Sequence, residues 1–382
     1  MTHDTADGCG VAFKLLKGIV QFVQTFFAST EITVKPNYQS KPDSRSQNMK
    51  SSQEIAHYFI LSLLASSAVI LGLFLLFFCR KKPVESEESL PAARISAQAY
   101  PSTDIDAATD GFNHRRIIGT GRLSTVYAAV LPGDQNPVAV KRIHPSLVLS
   151  NACFGFPSML KTLSLAQHPN LVPILGFSQA PGERIIVMEF VGGMSLDYYL
   201  HENSDGAASV LDWSLRIMIA AGLARGLEYL HEGMAPNIVH GCFKSSNVLL
   251  DDKFRARVSD YGLSSLVANK KRVLVGHVDD EFWSDGRGEA CKESDVYGFG
   301  VVLLELLTGR RAEEGLLVRW ALPLIREMRF SELLDLRLAR PSDDTRAIAR
   351  LARVASACVN NSRKNRPTMS QLATILSNLE ME

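Results

Sequence analysis

The residues best suited to chemistry fall in short clusters along the chain. The first is Gly119-Thr120-Gly121. Apolar residues alternate on either side, around Ile117 and Val126, which predicts a β-hairpin with the glycines at its turn. Glycine carries no Cβ, so the backbone amides of such a turn can approach phosphate oxygens closely. Val138-Ala139-Val140-Lys141 follows as a strand with one lysine. Further on stand His240-Gly241-Cys242-Phe243-Lys244-Ser245-Ser246-Asn247 and Ser259-Asp260-Tyr261-Gly262. Ser294-Asp295-Val296-Tyr297-Gly298-Phe299-Gly300 and Arg366-Pro367-Thr368-Met369 complete the series. Two glycines in a turn are common by themselves. The ordered set of five motifs is what gives them a phosphate-handling meaning.

In that order and spacing the motifs resemble the protein-kinase signature set. The stretches AATDGF (107–112), HPNLVPILGF (168–177), GLARGLEYLH (222–231), KSSNVLLD (244–251) and SDVYGFGVVLLELLTGR (294–310) narrow the resemblance. They are similar to the plant receptor-like kinases, related to the Pelle and IRAK kinases. The resemblance covers about 280 residues and implies an α+β, bilobal protein-kinase fold, with a small β-rich N-lobe and a larger helical C-lobe.

The resemblance also implies roles. Lys141 would pair with the α- and β-phosphates of ATP, and Asn247 and Asp260 would hold Mg²⁺. Gly119 and Gly121 would cover the phosphates. Val126, Ala139 and Leu249 would sandwich the adenine. Met188 would be the gatekeeper, followed by a hinge of Glu189, Phe190 and Val191. Leu163, Ile174, His240 and Tyr261 would form a hydrophobic column joining the lobes.

Other positions depart from the family pattern. Active members carry an Asp after His-Arg in the catalytic loop, which accepts or orients the substrate hydroxyl proton. Here the loop reads His240-Gly241-Cys242, with Lys244 two residues on. A thiol at its ordinary pKa of about 8.5 is neutral and cannot replace a carboxylate. A positioned base contributes about 10² to 10⁴ in rate. Met159 stands where the family has the Glu that grips the strand lysine. Lys161 faces another side of that helix, and no acid close in sequence offers a substitute. Ser124 replaces the last glycine of the loop, a mild change. The activation segment, from Asp260 to about Asp285, lacks the usual Ala-Pro-Glu ending. Phe282-Trp283-Ser284-Asp285 is expected in its place, with Asp285 pairing Arg366.

These departures lead to the expectation of a pseudokinase. It would bind ATP with Mg²⁺ and act as a signalling scaffold or allosteric partner of active receptor-like or cytoplasmic kinases and their substrates. The alternative is an active Ser/Thr kinase that transfers the γ-phosphate to proteins. That would need Cys242 as a thiolate of strongly lowered pKa, with Lys244 nearby, or catalysis resting on metal and positioning alone. A third possibility is an adaptor with an empty pocket.

The elements that must position these groups are legible in outline. Pro157 is placed to start the helix that carries Met159. The chain has 382 residues, 46% hydrophobic and 21% charged, enough for a large domain with a sizeable core. A net charge of +1 gives no bulk argument for nucleic acid. Six scattered cysteines, with no C-x-x-C pair, argue against a disulfide framework or structural zinc. Tyr58 to Cys79 is 22 residues without a charge, long enough at about 1.5 Å per residue to cross a bilayer, and Arg80-Lys81-Lys82 follows. Four regions are therefore expected: a short, extracytoplasmic segment 1–57, a single transmembrane helix 58–79, a juxtamembrane linker 80–104 and a kinase-like domain 105–382 facing the cytoplasm at the plasma membrane. Val11 to Ala28 reads equally as a signal peptide, an interfacial helix or a weakly ordered stretch.

Overall fold

Residues 117–143 set the pattern of the smaller lobe. Strands β2 (Ile117–Thr120) and β3 (Ser124–Val130) pair antiparallel, with Gly119 opposite Val126 and Thr120 opposite Thr125. The hairpin expected around the glycines is therefore present, and the Gly121 amide donates to the Ser124 carbonyl at 2.9 Å across its turn. Strand β4 (Pro137–Ile143) follows antiparallel to β3 and carries Lys141 opposite Val126. A computed structural model of the protein describes residues 96–381 except 122, 150–154, 203–210, 267–276, 278, 280, 282–289, 314 and 339–344. The expected membrane span 58–79, the segment ahead of it, the stretch Val11 to Ala28 and Asp285 lie outside the described residues. Among the described residues no helix is long and apolar enough to cross a membrane.

Strand β1 (Gln98–Ala99) and strands β5 (Ile174–Ala180) and β6 (Glu183–Glu189) complete a six-stranded sheet in the order β1-β5-β6-β4-β3-β2. Its β1–β5 pairing is parallel. Secondary structure is thus present within the stretch 80–104 read as linker, where helix α1 (Ser102–Thr109) follows β1. The physical reason is local. Gly176 leaves the space that the Tyr100 ring fills, and Ile105 is fully buried against the outer face of the sheet. Helix α2 (Pro145–Leu149) follows β4. Helix α3 (Phe156–Leu163) has Pro157 in its first turn, where a missing N–H costs nothing.

The larger lobe is helical. Asp212 caps helix α4 (Trp213–Glu228), its carboxylate accepting from the Leu215 amide at 2.8 Å. Ile219, Ala220, Ala221, Leu223, Ala224 and Leu227 are all fully buried, so α4 is an interior helix rather than an amphipathic surface one. Strands β7 (Val248–Leu250) and β8 (Ala256–Val258) form a small antiparallel ladder beside it. Helix α5 (Lys292–Thr308) runs through the centre, and its leucines from 303 to 307 are fully buried. Each such side chain contributes about 1.5–3 kcal/mol of burial. Helices α6 (Leu316–Arg326) and α8 (Thr345–Cys358) pack on α5, and α7 (Phe330–Leu333) packs on α6. Helix α9 (Met369–Glu380) starts with a Thr368/Gln371 capping box and packs on α4.

Candidate functional site

A cleft of about 860 Å³ separates the sheet from the helical lobe. Its walls include Gly119, Gly121, Val126, Ala139, Lys141, Met188, Glu189, Val191, Cys242, Lys244, Asn247, Leu249 and Asp260. Every expected site residue lines it except Met159. The upper wall comes from the β2–β4 hairpins and the back from the end of β6. The lower wall comes from the loop 240–247 and strand β7. Met188 pairs with Ala139 on one side and Ile174 on the other, which places it at the rear of the cleft. Glu189 continues the strand, and its carboxylate holds Arg257 at 2.9 Å.

Lys141 is 8% exposed and forms an ion pair with Asp260. The sequence offers no acid near Met159 for the lysine, and the carboxylate that meets it is Asp260. The substitute comes from far along the chain, since Met159 packs against the core instead of facing the lysine with a carboxylate. Burial alone would raise the Asp260 carboxyl, but the charge and hydrogen bond of Lys141 more than offset it and hold it below the ordinary value. Asp260 also adopts φ +64°, a left-handed conformation unusual for a residue with a Cβ.

The loop 240–247 is fixed by backbone contacts. Asp295 of α5 accepts from the His240 amide and the Gly241 amide, both at 2.7 Å, and meets His231 Nε2 at 2.8 Å. Sequence reading identified the Asp295 motif but gave it no role. Gly241 has φ +78°, and a Cβ there would collide with Ser264. A glycine is therefore what this backbone shape requires. Asn247 Nδ2 donates to the Cys242 carbonyl at 2.9 Å. His240 Nε2 lies 3.0 Å from the Ser259 carbonyl, and burial lowers the pKa of its ring. Leu163, Ile174 and Tyr261 share one buried cluster, with Leu163 against Gly262, and the His240 carbonyl accepts from the Gly262 amide at 3.1 Å. The four residues expected to form a column are thus all buried between the lobes.

Cys242 is 8% exposed, and burial pushes its thiol up to about 11. Lys244 opposes that rise without cancelling it. Near pH 7 the group is a neutral thiol, so a thiolate base is not at hand. Arg366 pairs with Asp279 at 2.6 Å, and Asp279 is buried with it. Among the described residues, then, the carboxylate on Arg366 is Asp279, which sequence reading passed over in favour of Asp285. Arg363 also reaches Asp279, at 3.1 Å.

The family model for protein tyrosine and serine/threonine kinases matches residues 112–376. The chain belongs to the protein kinase family. Its relatives are plant receptor-like kinases. The leucine-rich repeat receptor protein kinase EMS1 of Arabidopsis thaliana is 36% identical over 72% of this chain, and the chain spans 24% of that relative's length. The phytosulfokine receptor 1 of the same plant is also 36% identical, with 28% of its length spanned. The proline-rich receptor-like protein kinase PERK3, again from Arabidopsis, is 30% identical over 91% of this chain and 69% of its own length. Among solved structures, the pseudokinase domain of BIR2, described as an immune regulator of the RLK/Pelle family, matches with a TM-score of 0.58 and 33% identity. The match covers 72% of this chain and 85% of that domain.

Protein kinases generally use ATP and Mg²⁺. The donor set here fits them. Lys141 takes Oδ1 of Asp260 and Asn247 turns its amide nitrogen to the loop, which leaves a carboxylate oxygen and an amide oxygen of the kind that hard cations prefer. Val126, Ala139 and Leu249 supply apolar surface in the same cleft.

Proposed function

We propose that this chain is a pseudokinase, a kinase-fold protein that has lost useful phosphotransfer and works as a scaffold or allosteric partner of active kinases. The observation that carries the reading is Cys242. The catalytic loop keeps its shape through Asp295, yet the position that should handle the substrate proton holds a buried thiol with a pKa near 11. A carboxylate orients and accepts, whereas this thiol does neither at physiological pH. The helix position that should support Lys141 holds Met159, and the lysine turns to Asp260. The fold's likeness to the pseudokinase domain of BIR2 supports the same reading.

ATP with Mg²⁺ would occupy the cleft, with Lys141 on the phosphates, Asn247 and Asp260 toward the metal, Gly119 and Gly121 above and the hinge Glu189-Phe190-Val191 beside the base. Bound there, the nucleotide would brace the two lobes in one arrangement. A second reading, weak residual Ser/Thr phosphotransfer, is favoured by one observation: Lys141, Asn247 and Asp260 all line the same cleft.

The test is rescue. The Cys242→Asp/Met159→Glu double variant of the full chain should transfer phosphate about 10²-fold or more faster than wild type, the scale of one positioned base. Equal rates would mean that the loss lies elsewhere than these two positions.

We further propose a single transmembrane helix at 58–79, with the kinase-like domain in the cytoplasm at the plasma membrane. The match to PERK3 covers more of the chain than the kinase-like domain alone contains, and several relatives are named as receptors. In cells, wild-type chain should stay with the membrane pellet at alkaline pH, and a chain lacking residues 58–79 should be released. Release of both would rule out the span.

A further inference from the structure

Helix α5 is apolar from Phe299 to Leu307 except for Glu305. The Glu305 side chain is 1% exposed. Its Oε1 accepts from the Ala312 amide at 3.1 Å, while its Oε2 has no hydrogen-bond partner. Beside it stands His201, from the helical turn Tyr198–Glu202, with its side chain 6% exposed. His201 Nε2 also lacks a hydrogen-bond partner. It lies 3.5 Å from Glu305 Oε1 and 3.9 Å from Asp197 Oδ1. One ligand atom from each of Asp197, His201 and Glu305 falls within 4.8 Å of the other two. A buried polar atom left without a partner is costly, and two of them sit on these neighbouring side chains.

Charge points the same way. Asp197, Glu202 and Glu305 are three carboxylates, and Arg311 Nη2 pairs with two of them, Asp197 through Oδ2 and Glu202, at 3.2 Å each. Asp197 Oδ1 receives only a long contact from Ser245 Oγ, at 3.5 Å. Asp197 and Glu305 thus set two carboxylates beside one imidazole nitrogen, a donor set that suits a dication.

We propose that Asp197, His201 and Glu305 bind one divalent transition-metal ion of the zinc class. The ligand atoms would be Asp197 Oδ1, His201 Nε2 and a Glu305 carboxylate oxygen, with water in the fourth position. One imidazole and two carboxylates suit zinc-like ions, whereas Mg²⁺ and Ca²⁺ favour oxygen-only shells. Bonds of about 2.0–2.1 Å to a tetrahedral ion set ligand atoms roughly 3.3 Å apart, so the histidine–carboxylate distances of 3.5 and 3.9 Å need only a small contraction, while the two carboxylates, within 4.8 Å, would draw together further. The ion would tie the turn Tyr198–Glu202 to α5 on the wall of the cleft. It is independent of whether the protein transfers phosphate.

The experiment uses the full chain, stripped with a chelator and titrated with Zn²⁺ against a chromophoric competitor. One Zn²⁺ per chain should bind and raise the melting temperature. His201→Asn and Asp197→Asn should weaken that binding by about 100-fold or more, beyond the 10–100-fold of outer-shell changes. Both positions tolerate the near-isosteric change without emptying the core, and equal melting temperatures without metal would verify their folding. Substituted Co²⁺ should show nitrogen and oxygen ligation without thiolate charge-transfer bands. Absence of a bound ion in wild type, unchanged affinity in His201→Asn, or thiolate bands would each overturn the site. The first two would leave a plain buried histidine–carboxylate contact.

Discussion

At the scale of single residues, the proposed departure from an active kinase lies in how one proton and one cation are handled. Cys242, which that reading puts in the place of the base, is held neutral by burial. That state has a direct chemical readout. At pH 8 a thiol with a pKa near 11 has on the order of a hundredfold less thiolate than one at the ordinary value of about 8.5, and the thiolate is the form that alkylates. Iodoacetamide should therefore modify Cys242 about a hundredfold more slowly than a model thiol in the folded chain, as followed by mass spectrometry, and at the ordinary rate after unfolding. Fast modification in the native state would mean an activated thiolate and would revive Cys242 as a base. Lys141 shows the other departure. Its ion pair with Asp260 spans 119 positions in sequence, which explains why no local pattern announced it. The identities of Lys141, Asn247, Asp260 and Cys242 were legible because each sits inside a continuous motif. The partner of Lys141 was not, because pairing is a property of the fold.

At the scale of elements, buried ion pairs join helices that share no sequence signal. Arg216 of α4 is 1% exposed and reaches Asp335, just beyond α7, at 2.7 Å, while its Nε donates to the Leu211 carbonyl at 2.8 Å. Burial alone would raise the Asp335 carboxyl, but hydrogen bonds from Arg337 and Arg216 outweigh it and hold it at about 2. A depressed carboxyl pKa contributes stability above its unfolded value, near 3.9, and loses it as pH falls through its folded one. Wild-type melting temperature should therefore drop between about pH 4 and pH 2 in part through this group. Asp335→Asn should be less stable than wild type at pH 7 and show a flatter acid dependence in that window. An identical slope in the two proteins would remove Asp335 from the account. The hairpin at Gly119 and the helix start at Pro157 were legible from turn and cap chemistry. Strand β1 was not, because two residues are too few to show alternation. The convergence of Asp197, His201 and Glu305 was equally hidden, since the three come from two segments about a hundred positions apart.

At the scale of the whole molecule, the two lobes enclose a cleft that looks complete until its charges are traced. The column Leu163, Ile174, His240 and Tyr261 is buried, the loop 240–247 is anchored to α5, and Arg366 is satisfied by Asp279. The architecture of a kinase is thus kept in packing, while on the proposed reading the proton-handling carboxylate is missing. That separation is physically reasonable, because packing involves scores of buried side chains and chemistry depends on a few charges. It also explains why motif order identified the family securely while function had to be argued from Cys242 and Met159. The most direct measurement is transfer of labelled γ-phosphate from Mg·ATP by the full chain, compared side by side with Lys141→Met. The account predicts that wild type incorporates no more label than Lys141→Met, onto itself or onto a general protein substrate. Robust incorporation by wild type that Lys141→Met abolishes would contradict it.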